Sequence, residues 1–304
     1  MLSRSGAELL SRISWTVLLV SVAVLMGCDT RKSVLSVSPR EPANRVAAGE
    51  SLLPVASGLE QTMAPRELFE AFKRIQQPGV DTHLIELDGK PSMLVFEIDL
   101  ALFEPLLVGV GRSTPEGVSA NDAITRFDLS LIVGSGFVAE LNSLSPVGLL
   151  QIDGSVISEL QRYGYTRILG VRSEGIGVVA SREYHTGMFE SALQVGPGIV
   201  EEGLLDISVR DLQRPEYFRT FVATCGTRTL IGASQVPMHL HTLGKRLLEY
   251  LAEVGLSCDE VVNLAGDREV LLAMAAHDNS RLVYFGHLNT AKASLLGFRR
   301  RREP

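Results

Sequence analysis

The 304-residue chain has little of what metal and redox chemistry rely on. Its three cysteines and six histidines are scattered, and no His/Cys spacing matches a zinc site. His239 and His241 are two residues apart and diverge on a helix, so His185 would join them only if the fold assembled the three. No metal is therefore expected. Nor is an organic cofactor: Gly109-Val110-Gly111 lacks the third glycine of a dinucleotide loop, and neither a P-loop nor a Gly-x-Ser-x-Gly elbow occurs. A basic surplus is also missing. The net charge of −6 argues against a nucleic-acid partner. No internal repeat of solenoid or propeller length is visible. The longest apolar run, Ile13–Met26, would make a helix about 21 Å long, short of a bilayer core of about 30 Å.

What is present begins with that run. Arg4 and Arg12 precede it, as in the charged start of a signal peptide, and it closes on Leu25-Met26-Gly27-Cys28. The closing residues resemble a bacterial lipobox. The resemblance implies lipidation at Cys28 and a membrane-anchored lipoprotein of the bacterial cell envelope, facing the periplasm or the exterior. The alternative is an uncleaved anchor. Residues 1–27 are thus read as the signal peptide. Residues 28–63, rich in Ser, Pro, Ala, Arg and Glu, are read as a disordered tether. Residues 64–304 form the domain, and the full chain, 45% hydrophobic and 21% charged, has the composition of an ordinary globular protein.

Within the domain, Pro65 opens a helix that Pro78-Gly79 stops. Short strands are expected at 82–87, 93–99 and 106–111, with Asp88-Gly89 as a hairpin turn. Ser119 or Asn121 caps a short helix ahead of the central strand. Further strands fall at 167–171, 176–180, 192–195, 220–224 and 229–231. Leu240, Leu243, Leu247, Leu251 and Val254 share one helical face over 239–254, ended by Gly255. Many strands with few helices, not strictly alternating, imply an α+β class, as a single mixed domain. Cys225 and Cys258 either pair, as in exported proteins, or stay as buried thiols. The Arg299–Arg302 tail reads as solvated.

The stretch that organises the domain is Asp128–Phe137: a buried strand that breaks off in Gly134-Ser135-Gly136-Phe137. Pro146-Val147-Gly148-Leu149-Leu150 follows after a polar loop. Glycines at a strand end let the backbone turn and let a ligand approach, although a plain turn between core strands has the same pattern. The order of these pieces resembles the phosphodiester glycosidase family, which carries Asn-Gly-Gly-Phe-Phe and then Pro-x-Gly. The resemblance runs from about Gly79 to Gly286. It resumes at Gly196-Pro197-Gly198-Ile199-Val200, at Arg219-Thr220, and at Asn263-Leu264-Ala265-Gly266-Asp267. The family's last motif is Asn-Leu-Asp-Gly-Gly. Here Ala265 replaces the aspartate and Asp267 the second glycine, while Gly134 stands in place of the asparagine.

By that resemblance, Gly134, Ser135, Gly136, Phe137, Arg219, Asn263 and Gly266 are the substrate-binding candidates. Arg219 offers a planar fork to a phosphate or sugar oxygen, against the alternative of a structural ion pair. Glycoside cleavage needs a carboxyl near the anomeric carbon. Alanine has none, so Asp267 is the catalytic candidate. The family reading implies an enzyme that hydrolyses a sugar-1-phosphodiester or related glycoconjugate. The competing reading is a degenerate member that binds envelope polysaccharide without cleaving it. The expected partners are an envelope glycan or sugar phosphodiester and, through the lipid anchor, the membrane.

Overall fold

The computed structural model describes residues 63–302, apart from 112, 141–142 and 279–280. The signal peptide, Cys28 and all of the tether but its last residue lie outside that range. Among the described residues no helix is long and apolar enough to cross a membrane.

The strand Lys90–Asp99 shows how the sequence dictates the layers. Leu94, Phe96 and Ile98 belong to one buried cluster, Met93 and Val95 to another, and all five are fully buried. A strand buried on both faces needs cover on both sides. It sits in a seven-stranded sheet with the order Val80–Leu87, Lys90–Asp99, Arg228–Ser234, Arg219–Cys225, Glu260–Gly266, Gly198–Glu201 and Leu204–Leu205. Every neighbouring pair is antiparallel. Asp88 and Gly89 both take positive φ (52° and 71°), as a two-residue hairpin turn requires.

A second sheet of five strands runs Leu282–Gly286, Leu271–Ala275, Leu129–Ser135, Ser294–Arg300 and Phe103–Gly109. A third, also of five, runs Ser155–Ser158, Leu150–Ile152, Ser191–Val195, Arg167–Arg172 and Gly175–Ala180. One central core joins all three sheets, with Phe96 and Val262 from the first, Val133 and Phe298 from the second, and Leu169 and Leu193 from the third. Each such side chain contributes about 1.5–3 kcal/mol on burial, so the sheets close on one another.

The α+β expectation is corrected here. Among the described residues three α-helices stand against seventeen strands, and the central core is made chiefly by sheet packing on sheet, joined by Leu68, Phe72 and Ile75 of the helix Pro65–Ile75. Two of the helices cover outer faces: Leu240–Val254 lies on the first sheet through Leu243, Leu247 and Leu251, and Ala120–Phe127 lies on the second through Ala123 and Ile124. The architecture is β-rich. Few helices among many strands signalled minor helical cover, and the strands that were read singly are antiparallel neighbours in curled sheets.

Local signals resolve as follows. Ser119 caps its helix, its side chain accepting from the Asp122 N–H at 3.1 Å. Gly255 ends the long helix at φ 69°. Cys225 and Cys258 form a disulfide beneath that helix. The arginine tail is not simply solvated. Arg299 and Arg300 end a strand paired on both sides. Arg299 pairs with Glu104 at 2.8 Å, and Arg301 donates to the carbonyls of Leu100 and Ser173.

Candidate functional site

The central strand and the strand Glu260–Gly266 lie in different sheets, and short polar links stitch their ends together. The Gly136 N–H donates to the Leu264 carbonyl at 3.0 Å, and the Thr220 hydroxyl donates to the Gly134 carbonyl at 2.8 Å. Side chains would not fit this seam. A Cβ on Gly134 would strike the Glu269 carbonyl, and Gly136, at φ 80°, lies against the Ser294 hydroxyl. Ser135 is buried, its hydroxyl without a hydrogen-bond partner. Gly134, Ser135 and Gly136 thus form a packed seam, and none of the three lines the cleft that begins at Phe137.

That cleft, of about 340 Å³, has a lining that includes Phe137, Tyr165, Gly196, Asp211, Arg219 and Asn263. Phe137 stacks on Tyr165, with ring centres 4.6 Å apart. Asn263 is fixed by a reciprocal pair of bonds: the Gly196 N–H donates to its carbonyl at 3.0 Å, and its Nδ2 donates to the Gly196 carbonyl at 3.1 Å. Its Oδ1 remains buried without a partner in the protein.

Arg219 opens its strand, where its N–H donates to the Ser234 hydroxyl at 2.8 Å. The side chain runs across Gly266, where a Cβ would come within 3.2 Å of Nη1. Gly266 therefore serves the site indirectly, by leaving a flat floor under the guanidinium. The Tyr217 ring lies 4.9 Å from the guanidinium carbon, a cation–π distance. Arg219 Nε is buried and unpartnered. Burial pulls its pKa below the ordinary value, against the charges of Asp211 and Asp267.

Asp267 stands apart from the cleft lining. Its N–H donates to the Phe218 carbonyl at 3.1 Å, and burial raises its carboxyl above the usual range, opposed by a hydrogen bond at the Phe218 backbone and by Arg219. The run that follows is a short 3₁₀ turn pinned to the fold: Glu269 pairs at 3.3 Å with Lys292, which is fully buried. Ala265 is fully buried opposite Thr220 and does not reach the cleft.

Tyr165, Tyr217, Asp211 and Arg214 are cleft residues that escaped the sequence reading. Asp211 is buried, and its Oδ2 accepts the His241 N–H at 3.0 Å, holding the first turn of the long helix. Arg214 lines the same cleft. Asp211 and Arg214 belong to a polar loop without motif or period, and their only signal was charge shortly before Arg219. His239 lies 3.5 Å from Glu216, and no group of three metal-ligating side chains occurs among the described residues.

Antiparallel sheets closed on one core, with a cleft where strand ends of two sheets meet, are shared in overall fold with a solved structure. One solved relative is the catalytic domain of zebrafish N-acetylglucosamine-1-phosphodiester alpha-N-acetylglucosaminidase, in a form auto-inhibited by its pro-peptide. It is 15% identical, with a TM-score of 0.53 over 74% of this chain and 85% of that one. The relationship is a distant one of fold. A hypothetical protein from Synechocystis, 10% identical, has a TM-score of 0.48 over 73% of this chain and 62% of its own. No family model matches the chain, and no curated protein matches it.

Proposed function

We propose that this protein is an envelope lipoprotein, anchored through Cys28, whose domain binds a sugar-1-phosphodiester or a related anionic envelope glycoconjugate in the cleft at Arg219. One observation carries the reading. Arg219 Nε and Asn263 Oδ1, a donor and an acceptor, are both buried and unpartnered in residues that line one cleft. Leaving a polar atom so costs about 1–3 kcal/mol; both atoms are closed to solvent, and a shift of either side chain toward a polar ligand would relieve that cost. Arg219 and Arg214 suit a phosphate, and the Phe137–Tyr165 stack offers an apolar face for a sugar ring.

Titration calorimetry with free sugar, sugar-1-phosphate and sugar-1-phosphodiester tests this. Binding that requires the phosphate and strengthens with the sugar supports it, and heats indistinguishable from buffer for all three reject it. The second reading, hydrolysis, is weakened by Ala265 in the place of the family aspartate. It is favoured by the carboxylate of Asp211 in the cleft lining.

A further inference from the structure

We propose that Asp211 is the general base of this cleft, taking a proton from the water that attacks the anomeric carbon of a bound sugar-1-phosphodiester. The inference rests on the binding reading above. Asp211 is the one carboxylate among the residues that line the cleft, and it shares that lining with Arg214, Arg219 and Asn263. One of its oxygens is committed. Oδ2 takes the His241 N–H at 3.0 Å from a turn 30 residues earlier in the chain. That bond fixes the carboxylate at the start of a 15-residue helix and orients it, while Oδ1 makes no hydrogen bond to the described residues. Arg219 feels the charge of Asp211 ahead of that of Asp267.

The chemistry suits a single carboxylate. The water oxygen bonds to the anomeric carbon, and Asp211 takes one of its protons. The bond from that carbon to the phosphate-bearing oxygen breaks, and its electron pair leaves on the phosphate. The products are the free sugar and a phosphomonoester, and Asp211 returns its proton to solvent. An ordinary glycoside needs an acid as well as a base, because its leaving alkoxide must be protonated. A phosphomonoester, with a second pKa of about 6, leaves without a proton at neutral pH. The guanidinium groups of Arg214 and Arg219 offset the charge that develops on it.

The test separates this role from helix capping. Asp211→Asn keeps an oxygen for the His241 amide, and Asn caps as well as Asp. Full-length protein is assayed on N-acetylglucosaminyl, glucosyl and mannosyl methyl phosphodiesters in heavy-oxygen water, with binding followed by calorimetry. The expected result is release of labelled sugar, and a loss of about 10²-fold or more in turnover for Asp211→Asn with binding retained. The melting curve of Asp211→Asn should match that of the unmodified protein, so that the loss of turnover is not a loss of folding. Turnover by Asp211→Asn equal to that of the unmodified protein would make Asp211 a cap and overturn the proposal. So would label in the phosphate, binding without turnover by the unmodified protein, or loss in Asp267→Asn with Asp211→Asn active. Absence of any binding by the unmodified protein would reject the binding reading itself, an outcome distinct from binding without turnover.

Discussion

Arg167 and Arg219 each open a strand, and each carries its guanidinium into the protein, yet their surroundings differ. Arg167 is met by three carboxylates, Asp206 at 2.9 Å, Glu201 at 3.1 Å and Glu260 at 3.5 Å. Arg219 has no carboxylate within ion-pair distance among the described residues. It has a tyrosine ring beside it and an open cleft; the Nε of both arginines lacks a hydrogen-bond partner, so the difference lies in the carboxylates. A buried charge is retained when it is paired or when something outside the chain pairs it. Arg167 is the first case, a structural clamp between the first and third sheets. Arg219, on the proposed reading, is the second, a cation kept for a ligand.

The contrast is broken most sharply at Arg167. Replacing it with alanine leaves three carboxylates around an empty site, and a loss of about 2–3 kcal/mol is expected, less than for a fully buried pair because Glu201 and Asp206 stay partly exposed. Urea denaturation reads it directly. Gly266→Ala is the next probe. The backbone there, at φ −143°, accepts alanine, but the new Cβ would lie 3.2 Å from Arg219 Nη1. Ligand binding should fall by about tenfold, or about 1.4 kcal/mol, in calorimetry, with the melting curve little changed.

The smallest effect concerns Asp267. Its folded pKa is raised by burial, so its ionisation opposes folding. Stability from this group is complete below the ordinary aspartate range and is lost as pH rises through the raised folded value. Asp267→Asn should therefore be at least as stable as the parent at neutral pH. The gap should close on acidification in denaturation curves taken across that range.

How much of this was legible in the sequence depends on whether a residue announced its environment locally. The Asp88-Gly89 turn, the Ser119 cap and the Leu240–Val254 face are short-range patterns, and each reappears in the structure within a residue or two. The class did not emerge in this way. Ser294–Arg300 is an internal strand of its sheet, but its apolar run is short and ends in arginines, so it resembled a tail. Phe137, Arg219 and Asn263 were singled out by resemblance, and they share the cleft lining. Asp211 was invisible. Its place is set by a backbone amide 30 positions away, and no periodicity records such a contact. Asp267 was conspicuous through its motif position, but it does not line the cleft.

The central claim is that Arg219 is held for a ligand and not for the fold, and Arg219→Ala tests it most directly when stability and binding are measured on one preparation. Charge-assisted hydrogen bonds are worth about 1.5–3 kcal/mol, so binding of a sugar-1-phosphodiester should weaken by about tenfold or more. The unfolding free energy should change by less than about 1 kcal/mol, because no ion pair is broken. A large loss of stability with unchanged affinity would contradict the account and place Arg219 beside Arg167 as part of the framework.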